Sequence, residues 1–387
     1  MILNEWRRHN VKRHEIHVRL DDNTAATSPV SRSYKIHVGD KILQHIGDLV
    51  RNDNVQRAVV VSDQSIDESH GHSVTRSLEA ASITVDRLSI PSGEASKSLV
   101  ESERLWNEFA RLEIDRKTAI LAVGGGVVGD LTGFVAATFS RGLRVWQIPT
   151  TLVAQVDSAI GGKTGVNLPA GKNLVGAFWQ PRGVVADINT LNSLPDREYV
   201  SGLAEVVKYG MILDSDFFQW LENNANLIRG RDKESLNHVV RRSAELKTFV
   251  VERDEREITG LRACLNYGHT FAHAFETTTG YGTLLHGEAV SLGMMAAVRL
   301  ACSLSLLDQT VVERQQKLLE SLGLPVATPL LNNINTDDFL KIMARDKKTV
   351  GGNLRFVLPD KIGHVKTMDD IDCILVTSAI KTVCCAV

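Results

Sequence analysis

The sequence predicts an α/β domain built on a parallel sheet, followed by a mostly α-helical domain. Six of the nine prolines fall by Pro195, and none occurs from Asp196 through Leu324. This span of 129 residues lacks the residue that breaks helices and can be helical almost throughout. Before Pro195, short β-branched runs alternate with amphipathic stretches, which is typical of a parallel sheet covered by helices. We therefore predict two domains, residues 1–194 and 195–387.

The individual elements follow from the same patterns. Buried apolar runs predict strands, in chain order, at 58–62, 119–123, 145–148 and 184–188. Helical periodicity in the second half predicts helices at 202–213, 236–253 and 288–307. Pro195 is predicted to open a helix, and Glu198 supplies a carboxylate in its first turn. Together they place the domain boundary near Leu194–Pro195.

Composition limits the class of protein. With 387 residues, 43% of them hydrophobic, the chain can bury a large core. Its 44 lysines and arginines nearly balance 46 aspartates and glutamates, so no global charge indicates a nucleic-acid partner. No run approaches the roughly 18 apolar residues of a membrane helix, and the five sparse cysteines fit a reducing compartment. We therefore predict a cytoplasmic protein with neither a nucleic-acid nor a membrane partner.

A glycine-rich turn follows the second predicted strand. Gly124, Gly126 and Gly129 satisfy the pattern G-x-G-x-x-G, and a helix is predicted at 131–139. A strand, a glycine turn and a helix in this order form a phosphate cradle, which predicts a Rossmann-like sheet that binds a dinucleotide. No carboxylate lies about 20 residues further on to bind a ribose, but Asp63, at the end of the first predicted strand, could supply it from a neighbouring strand. A glycine turn without a ligand remains the alternative.

Two lysines are predicted to lie on glycine-flanked loops after a strand. Lys163 follows two glycines and Lys172 follows Gly171. Ammonium groups suit a phosphorylated or carboxylated ligand, and the glycines allow that ligand to approach closely. Ordinary solvated lysines remain the alternative.

A candidate metal site lies in the second domain. Glu205 and Lys208 are three residues apart on one helical face among apolar neighbours, so a buried carboxylate there needs a partner. His269 and His273 are four apart, and His286 adds a third imidazole at a predicted helix start. Three such ligands with one open position describe a catalytic zinc site. The spacing does not order the ligands, and hydrogen-bonded core histidines remain the alternative.

Eight segments, in this order along the chain, resemble the successive signatures of the 3-dehydroquinate synthases. The resemblance runs from about Pro91 to Pro359 and implies two domains with the active site in the cleft between them. The segments are GGGVVGD (124–130), IPTTL (148–152), QVDS (155–158), GGK (161–163), GKN (171–173), GLAEVVK (202–208), LNYGHT (265–270) and HGE (286–288).

Carried over residue by residue, the resemblance implies a role for each matching position. The ligands of Zn²⁺ or Co²⁺ would be Glu205, His269 and His286. NAD would be bound by a set in the first domain: Asp63, Glu94, Lys97, Gly125, Gly126, Asp130, Thr150, Thr151, Lys163 and Lys172. The substrate phosphate and carboxylate would be bound by Asp157, Lys163, Lys172, Asn173, Lys208, Lys247, Arg262, Asn266, His273 and one of Lys347 or Lys348. Arg141 would reach into the partner's site of a homodimer.

The reaction that the resemblance implies converts 3-deoxy-D-arabino-heptulosonate 7-phosphate into 3-dehydroquinate and phosphate. The C5 hydroxyl is oxidised by NAD, phosphate leaves by β-elimination, the ketone is reduced again, and the opened ring closes by an intramolecular aldol step. Related cyclases that form inosose or valiolone remain alternatives within the superfamily. Outside it stand a metal-dependent polyol dehydrogenase, which would release NADH, and a nucleotide-binding scaffold, which would bind no metal.

Overall fold

The computed structural model describes residues 13–20, 32–280, 282–332, 336–346 and 354–384. The chain divides into two compact units: unit 1 is Met1–Leu194 with Asn237–Arg256, and unit 2 is Pro195–Leu236 with Glu257–Val387. The segment Asn237–Arg256, which the sequence analysis assigned to the second domain, thus groups with the first unit. Long-range polar contacts explain this grouping, because Glu255 accepts hydrogen bonds from Arg32 at 2.5 Å and from Gln180 at 2.9 Å.

Unit 1 contains a seven-stranded sheet with the order β1-β2-β9-β6-β5-β3-β4. Strand β1 is antiparallel to β2, and every other neighbouring pair is parallel. All four predicted strands are confirmed, as β3, β5, β6 and β9. The strands of the sheet are β1 Arg13–Val18, β2 Tyr34–Gly39, β3 Arg57–Asp63, β4 Thr84–Ile90, β5 Ala119–Gly124, β6 Arg144–Pro149 and β9 Gly183–Asp187. A separate antiparallel hairpin consists of β7 Lys163–Leu168 and β8 Gly171–Phe178.

Helices cover both faces of this sheet. They are α1 Ile46–Arg51, α2 His72–Ala80, α3 Leu99–Arg111 and α4 Gly126–Thr138. Successive residues of β3 point to opposite faces: Val60 packs with apolar residues of α1 and α2, and Val61 packs with those of α3 and α4. Burial on two faces is the reason why the central strands read as continuous apolar runs.

The order of strands in the sheet changes direction at β3: β4 is added on one side of it, and the next strand, β5, on the other. Strand β3 pairs with β4 on one side and with β5 on the other. The carboxyl ends of β3 and β5 therefore form the switch point at which doubly wound sheets bind their ligands. Asp63 ends β3 and Gly124 ends β5, so the prediction that Asp63 lies on a neighbouring strand is confirmed.

Unit 2 is mostly helical, as predicted. Its helices are α5 Asp196–Leu213, α6 Ser215–Arg229, α8 His269–Thr279, α9 His286–Ser303, α10 Gln309–Ser321, α11 Thr336–Asp346 and α12 Cys373–Cys384, while α7 Lys233–Arg253 begins in unit 2 and continues into unit 1. A small hairpin of β10 Phe356–Lys361 and β11 His364–Met368 was not predicted. Within the described ranges, no helix combines the length and apolar character needed to cross a membrane.

Candidate active site

Three helices of unit 2 bring one carboxylate and two imidazoles together. Glu205 lies in α5, His269 begins α8 and His286 begins α9. The Oε1 atom of Glu205 lies 3.4 Å from His269 Nε2 and 3.2 Å from His286 Nε2. One ligand atom from each of the three residues lies within 4.8 Å of the other two. His273 follows one turn after His269, with the two rings edge to face and their centroids 5.7 Å apart.

Two glycines of α9 explain why these helices meet so closely. A Cβ atom on Gly287 would lie 1.7 Å from the carbonyl oxygen of Ser201, and one on Gly293 would lie 2.1 Å from that of Gly268. Gly287 also donates its N–H to the Ser201 hydroxyl at 3.0 Å. Backbone therefore packs directly on backbone beside each of the three candidate ligands, and this contact sets their spacing.

The charges of this cluster suit a cation. Burial acts to raise the pKa of Glu205, but the ammonium of Lys208, which pairs with Oε2, and the two histidines hold that pKa well below its ordinary value. Burial lowers the pKa of His269. Burial would also lower that of His286, yet Glu205 and Glu276 raise its pKa to about 10. The carboxylate is thus ionised, and His286 bears a proton that an incoming cation must displace.

Each imidazole also has an oxygen atom near its other nitrogen, within hydrogen-bond distance for His269 and at ion-pair distance for His286. His269 Nδ1 lies 3.1 Å from the carbonyl oxygen of Tyr267, and His286 Nδ1 lies 3.8 Å from Glu276 Oε1. Oxygen atoms at Nδ1 favour a proton on that nitrogen, so Nε2 is the atom left to bind a metal, in His286 after its own proton is displaced. One carboxylate and two imidazoles with oriented Nε2 atoms therefore fit Zn²⁺ or Co²⁺.

Glu276 was missed by the sequence analysis. It is 5% exposed and lies in α8, seven residues after His269. That spacing places the two side chains on the same helical face, and this is the signal by which it could have been found.

The remaining predicted residues of unit 2 that the structure describes lie in α5 or in the short helix before α8. Lys208 and Arg262 are 1% and 2% exposed. Arg262 and Asn266 lie in the 3₁₀-helix Leu261–Asn266, and Arg262 Nε is 3.8 Å from Glu257 Oε1. Lys347, and its alternative Lys348, lie outside the described residues.

In unit 1, the first and last glycines of the formal motif are required by packing. A Cβ atom on Gly124 would lie 2.4 Å from Val128 Cγ2, and one on Gly129 would lie 2.7 Å from Gln147 Oε1. The β-branched Val128 leaves no room for a side chain at Gly124, and a side chain at Gly129 would displace the Gln147 amide that donates to the Gly129 carbonyl oxygen, so packing accounts for glycine at both positions.

The middle glycines lie at the start of α4 and fit a phosphate group. Gly125 is the N-cap and Gly126 the first helical residue. Cβ atoms here would lie 3.1 Å from Thr151 Cγ2 and 3.0 Å from Ser158 Oγ, so glycine keeps the turn open. The backbone N–H groups at the start of this 13-residue helix lie beside the switch point, where they can bind an anion.

Four predicted binding residues of unit 1 belong to one hydrogen-bonded network. The ammonium of Lys97, only 5% exposed, donates to Asp130 Oδ2 and Asn173 Oδ1, each at 2.5 Å. Asn167 donates to Glu94 Oε1 at 2.7 Å and accepts from the Asn173 N–H at 2.9 Å. Asn167 was given no role by the sequence analysis.

Two further predicted residues are paired across unit 1. Lys247 Nζ donates to the Asp157 carbonyl oxygen at 2.6 Å and to its Oδ1 at 2.7 Å. Near the switch point, Asp63 Oδ1 accepts from the backbone and hydroxyl of Ser65 at 2.8 and 2.6 Å. Thr150 donates its N–H to the carbonyl oxygen of Gly124 at 2.9 Å, so the two loops at the ends of β5 and β6 lie side by side.

The structure corrects the expected setting of the two lysines. Lys163 is the first residue of β7 and Lys172 the second residue of β8, so both lie on strands of the hairpin and not on loops. Lys163 pairs with Phe178, whereas Lys172 lies where the register of the hairpin shifts. Arg141, predicted to reach a partner, is exposed in the turn after α4, where it and Ser140 adopt φ values of +64° and +50°.

Comparison with known proteins gives one family. Residues 87–201 match the model of the 3-dehydroquinate synthase N-terminal domain and residues 202–349 match that of the C-terminal domain. A 3-dehydroquinate synthase of Rhodopirellula baltica is 49% identical over 322 residues, which cover 83% of this chain and 85% of that protein.

Solved structures of two related enzymes share the fold. A 2-deoxy-scyllo-inosose synthase in complex with carbaglucose-6-phosphate, NAD⁺ and Co²⁺ superposes with a TM-score of 0.85 at 26% identity, covering 95% of this chain and all of that one. A 2-epi-5-epi-valiolone synthase from Streptomyces hygroscopicus with NAD⁺ and Zn²⁺ gives 0.83 at 26% identity, over 92% and 98% of the two chains. Together with the family models and the bacterial relative, these similarities establish that the chain belongs to the 3-dehydroquinate synthase family.

Proposed function

We propose that this protein converts 3-deoxy-D-arabino-heptulosonate 7-phosphate into 3-dehydroquinate and inorganic phosphate, with NAD restored in each turnover. The observation that carries the proposal is the convergence of Glu205, His269 and His286 from three helices in a chain of this family. The support for this substrate over the inosose and valiolone skeletons is identity, which is 49% to a 3-dehydroquinate synthase and 26% to the other two cyclases.

We assign the metal to Glu205, His269 and His286. A bound Zn²⁺ or Co²⁺ supplies Lewis-acid polarisation of substrate oxygens. Glu205 contributes the negative charge that offsets the ion, and Glu276 orients the His286 ring. Lys208, buried beside Glu205, brings a second positive charge close to the oxygens that would lie there.

We assign NAD to the carboxyl ends of β3 and β5. The bound dinucleotide supplies reversible hydride transfer. Asp63 is placed to accept hydrogen bonds from a ribose, since Ser65 holds its Oδ1 atom. The N–H groups at Gly125 and Gly126 bind the pyrophosphate. The other residues of the assignment are Glu94, Lys97, Asp130, Thr150, Thr151, Lys163 and Lys172.

The substrate is a polyanion, and the chain offers buried cations to bind it. Lys208, Arg262 and Lys247 are 1%, 2% and 5% exposed, and ionic interactions strengthen where water is excluded. The residues assigned to the substrate are these three with Asp157, Lys163, Lys172, Asn173, Asn266, His273 and one of Lys347 or Lys348. Their role is to hold the phosphate and carboxylate in fixed positions during elimination and ring closure.

We further propose that the protein is a cytoplasmic homodimer in which Arg141 enters the partner's site. Positive φ values at two successive non-glycine residues, Ser140 and Arg141, cost free energy and are typical of functional turns. Among the described residues, Cys264, Cys302, Cys373 and Cys384 form no disulfide, which is consistent with a reducing compartment.

One assay separates this function from its rivals. The zinc-loaded protein is incubated with NAD and the heptulosonate phosphate, and phosphate, 3-dehydroquinate and NADH are measured. We expect phosphate and 3-dehydroquinate in equal amounts with no net NADH. Stoichiometric NADH would establish a dehydrogenase, and phosphate release from glucose 6-phosphate but not from the heptulosonate would establish another cyclase.

A further inference from the structure

The hairpin β7–β8 carries an irregularity at the position of the candidate binding residues. Val166 pairs with Val175, whereas Leu168 pairs with Gly171, so residues 172–174 of β8 lie opposite the single residue Asn167. Such a bulge leaves residues unpaired and redirects their side chains, and bulges are frequent beside active sites. The bulge here presents Lys172 and Asn173.

The bulge needs a stabilising partner. Asn173 adopts a φ of +56°, a left-handed conformation that costs free energy in any residue with a side chain, although least in Asn and Asp. Its backbone N–H donates to the side-chain oxygen of Asn167 at 2.9 Å. The Asn173 side chain in turn accepts from the buried Lys97 at 2.5 Å.

The opposite end of the Asn167 amide reaches the loop after β4. Its Nδ2 atom donates to Glu94 Oε1 at 2.7 Å, and its backbone N–H donates to the Lys97 carbonyl oxygen at 2.8 Å. A carboxamide is one of the few side chains that can accept and donate at the same time in this geometry. Aspartate has the same shape but no donor, and would bring a second carboxylate next to Glu94.

We propose that Asn167 is a positioning residue that couples the loop after β4 to the bulge of β8. Its acceptor holds the bulge and its donor holds Glu94, so both ends of the dinucleotide cradle keep one geometry. This inference rests on the proposed NAD site, and it adds a residue to which the family resemblance assigned no role.

The test measures NAD affinity and backbone exchange in two variants of the metal-loaded protein. Asn167→Asp keeps the acceptor and loses the donor, whereas Asn167→Ala loses both. We expect the NAD dissociation constant to rise about tenfold in Asn167→Asp and further in Asn167→Ala, as expected for losing a charged hydrogen bond. Amide hydrogen exchange at position 173 should accelerate in Asn167→Ala only, since the aspartate still accepts that N–H.

Controls separate positioning from a loss of stability. Asn107→Asp changes an exposed residue of α3 by the same chemistry and should leave NAD affinity unchanged. In the double variant Glu94→Gln with Asn167→Asp, the glutamine amide can donate to the aspartate, so a hydrogen bond between the two positions is restored. The NAD dissociation constant should therefore rise less than the product of the increases measured in the two single variants. A thermal unfolding midpoint for every variant shows that the chain is folded.

The outcomes are decisive in either direction. If wild type releases phosphate from the heptulosonate, and both Asn167 variants bind NAD within twofold of wild type, the positioning role is wrong while the proposed function stands. Additive effects in the double variant would also overturn it. If wild type binds no NAD, the proposed function itself fails.

Discussion

The candidate metal site of unit 2 and the candidate dinucleotide site of unit 1 are held in position by different means. In unit 2, glycines let helix backbones pack at distances that no side chain permits, so Glu205, His269 and His286 are fixed by the core itself. In unit 1, side-chain hydrogen bonds join loops and a hairpin around Lys97 and Asn173. Loss of a metal ligand from unit 2 should therefore remove nearly all activity. Loss of one residue from the network of unit 1 should lower activity only in part, because other hydrogen bonds remain.

The largest expected effect is that of His269→Ala. Removing one of three ligands should release the metal and lower turnover by at least about 1000-fold, which corresponds to several kcal/mol of lost stabilisation. Bound metal and phosphate release are measured together, with thermal unfolding to show that the chain folds. The exposed His364→Ala serves as the control. Full activity with bound zinc in His269→Ala would remove this residue from the site.

Lys163→Ala should come next, and it tests unit 1. Loss of a phosphate-binding ammonium should lower turnover roughly 100-fold, while zinc content stays at the wild-type level. Lys117→Ala, an exposed lysine in the turn before β5, is the matched control. Were turnover retained, the substrate assignment of the hairpin would be wrong.

Glu276→Ala should weaken metal binding about 10- to 100-fold, because the partner that orients a ligating imidazole is lost. Glu276→Gln keeps an acceptor and should lose less. Zinc affinity is measured by competition with a chelator, and the exposed Glu313→Gln of α10 is the control. Equal affinity in all three variants would show that His286 is oriented by packing alone.

The smallest expected effect, counted for each pH unit, concerns pH. The pKa of His286 is raised to about 10, so without metal the ring is protonated at every pH well below that value. Since binding displaces one proton, zinc affinity should rise about tenfold per pH unit between pH 6 and 8. In Glu276→Gln the pKa of His286 should fall, and the slope should flatten above the new value. A slope of zero in wild type would contradict the charge balance given for this cluster.

How much of the structure the sequence could predict depends on whether a feature rests on a local pattern or on long-range contacts. Apolar runs and proline placement predicted β3, β5, β6 and β9 and the helical character of unit 2, because burial on two faces or on one stripe leaves a local pattern. The hairpin β10–β11 was missed, since its few residues are surrounded by helical patterning. The grouping of Asn237–Arg256 with unit 1 could not be read from the sequence, because it depends on Glu255 and other long-range partners.

Sequence by itself determined the chemistry available to this protein: the glycine turn, the lysines, and the spacing of Glu205, Lys208 and the histidines. Only the tertiary structure decided which of these side chains meet. Glu205 and His286 are 81 residues apart, and their approach depends on backbone contacts made possible by Gly287 and Gly293. Likewise the bulge opposite Asn167 depends on the register between β7 and β8. Because register is a property of the pair, the sequence of either strand alone does not predict the bulge.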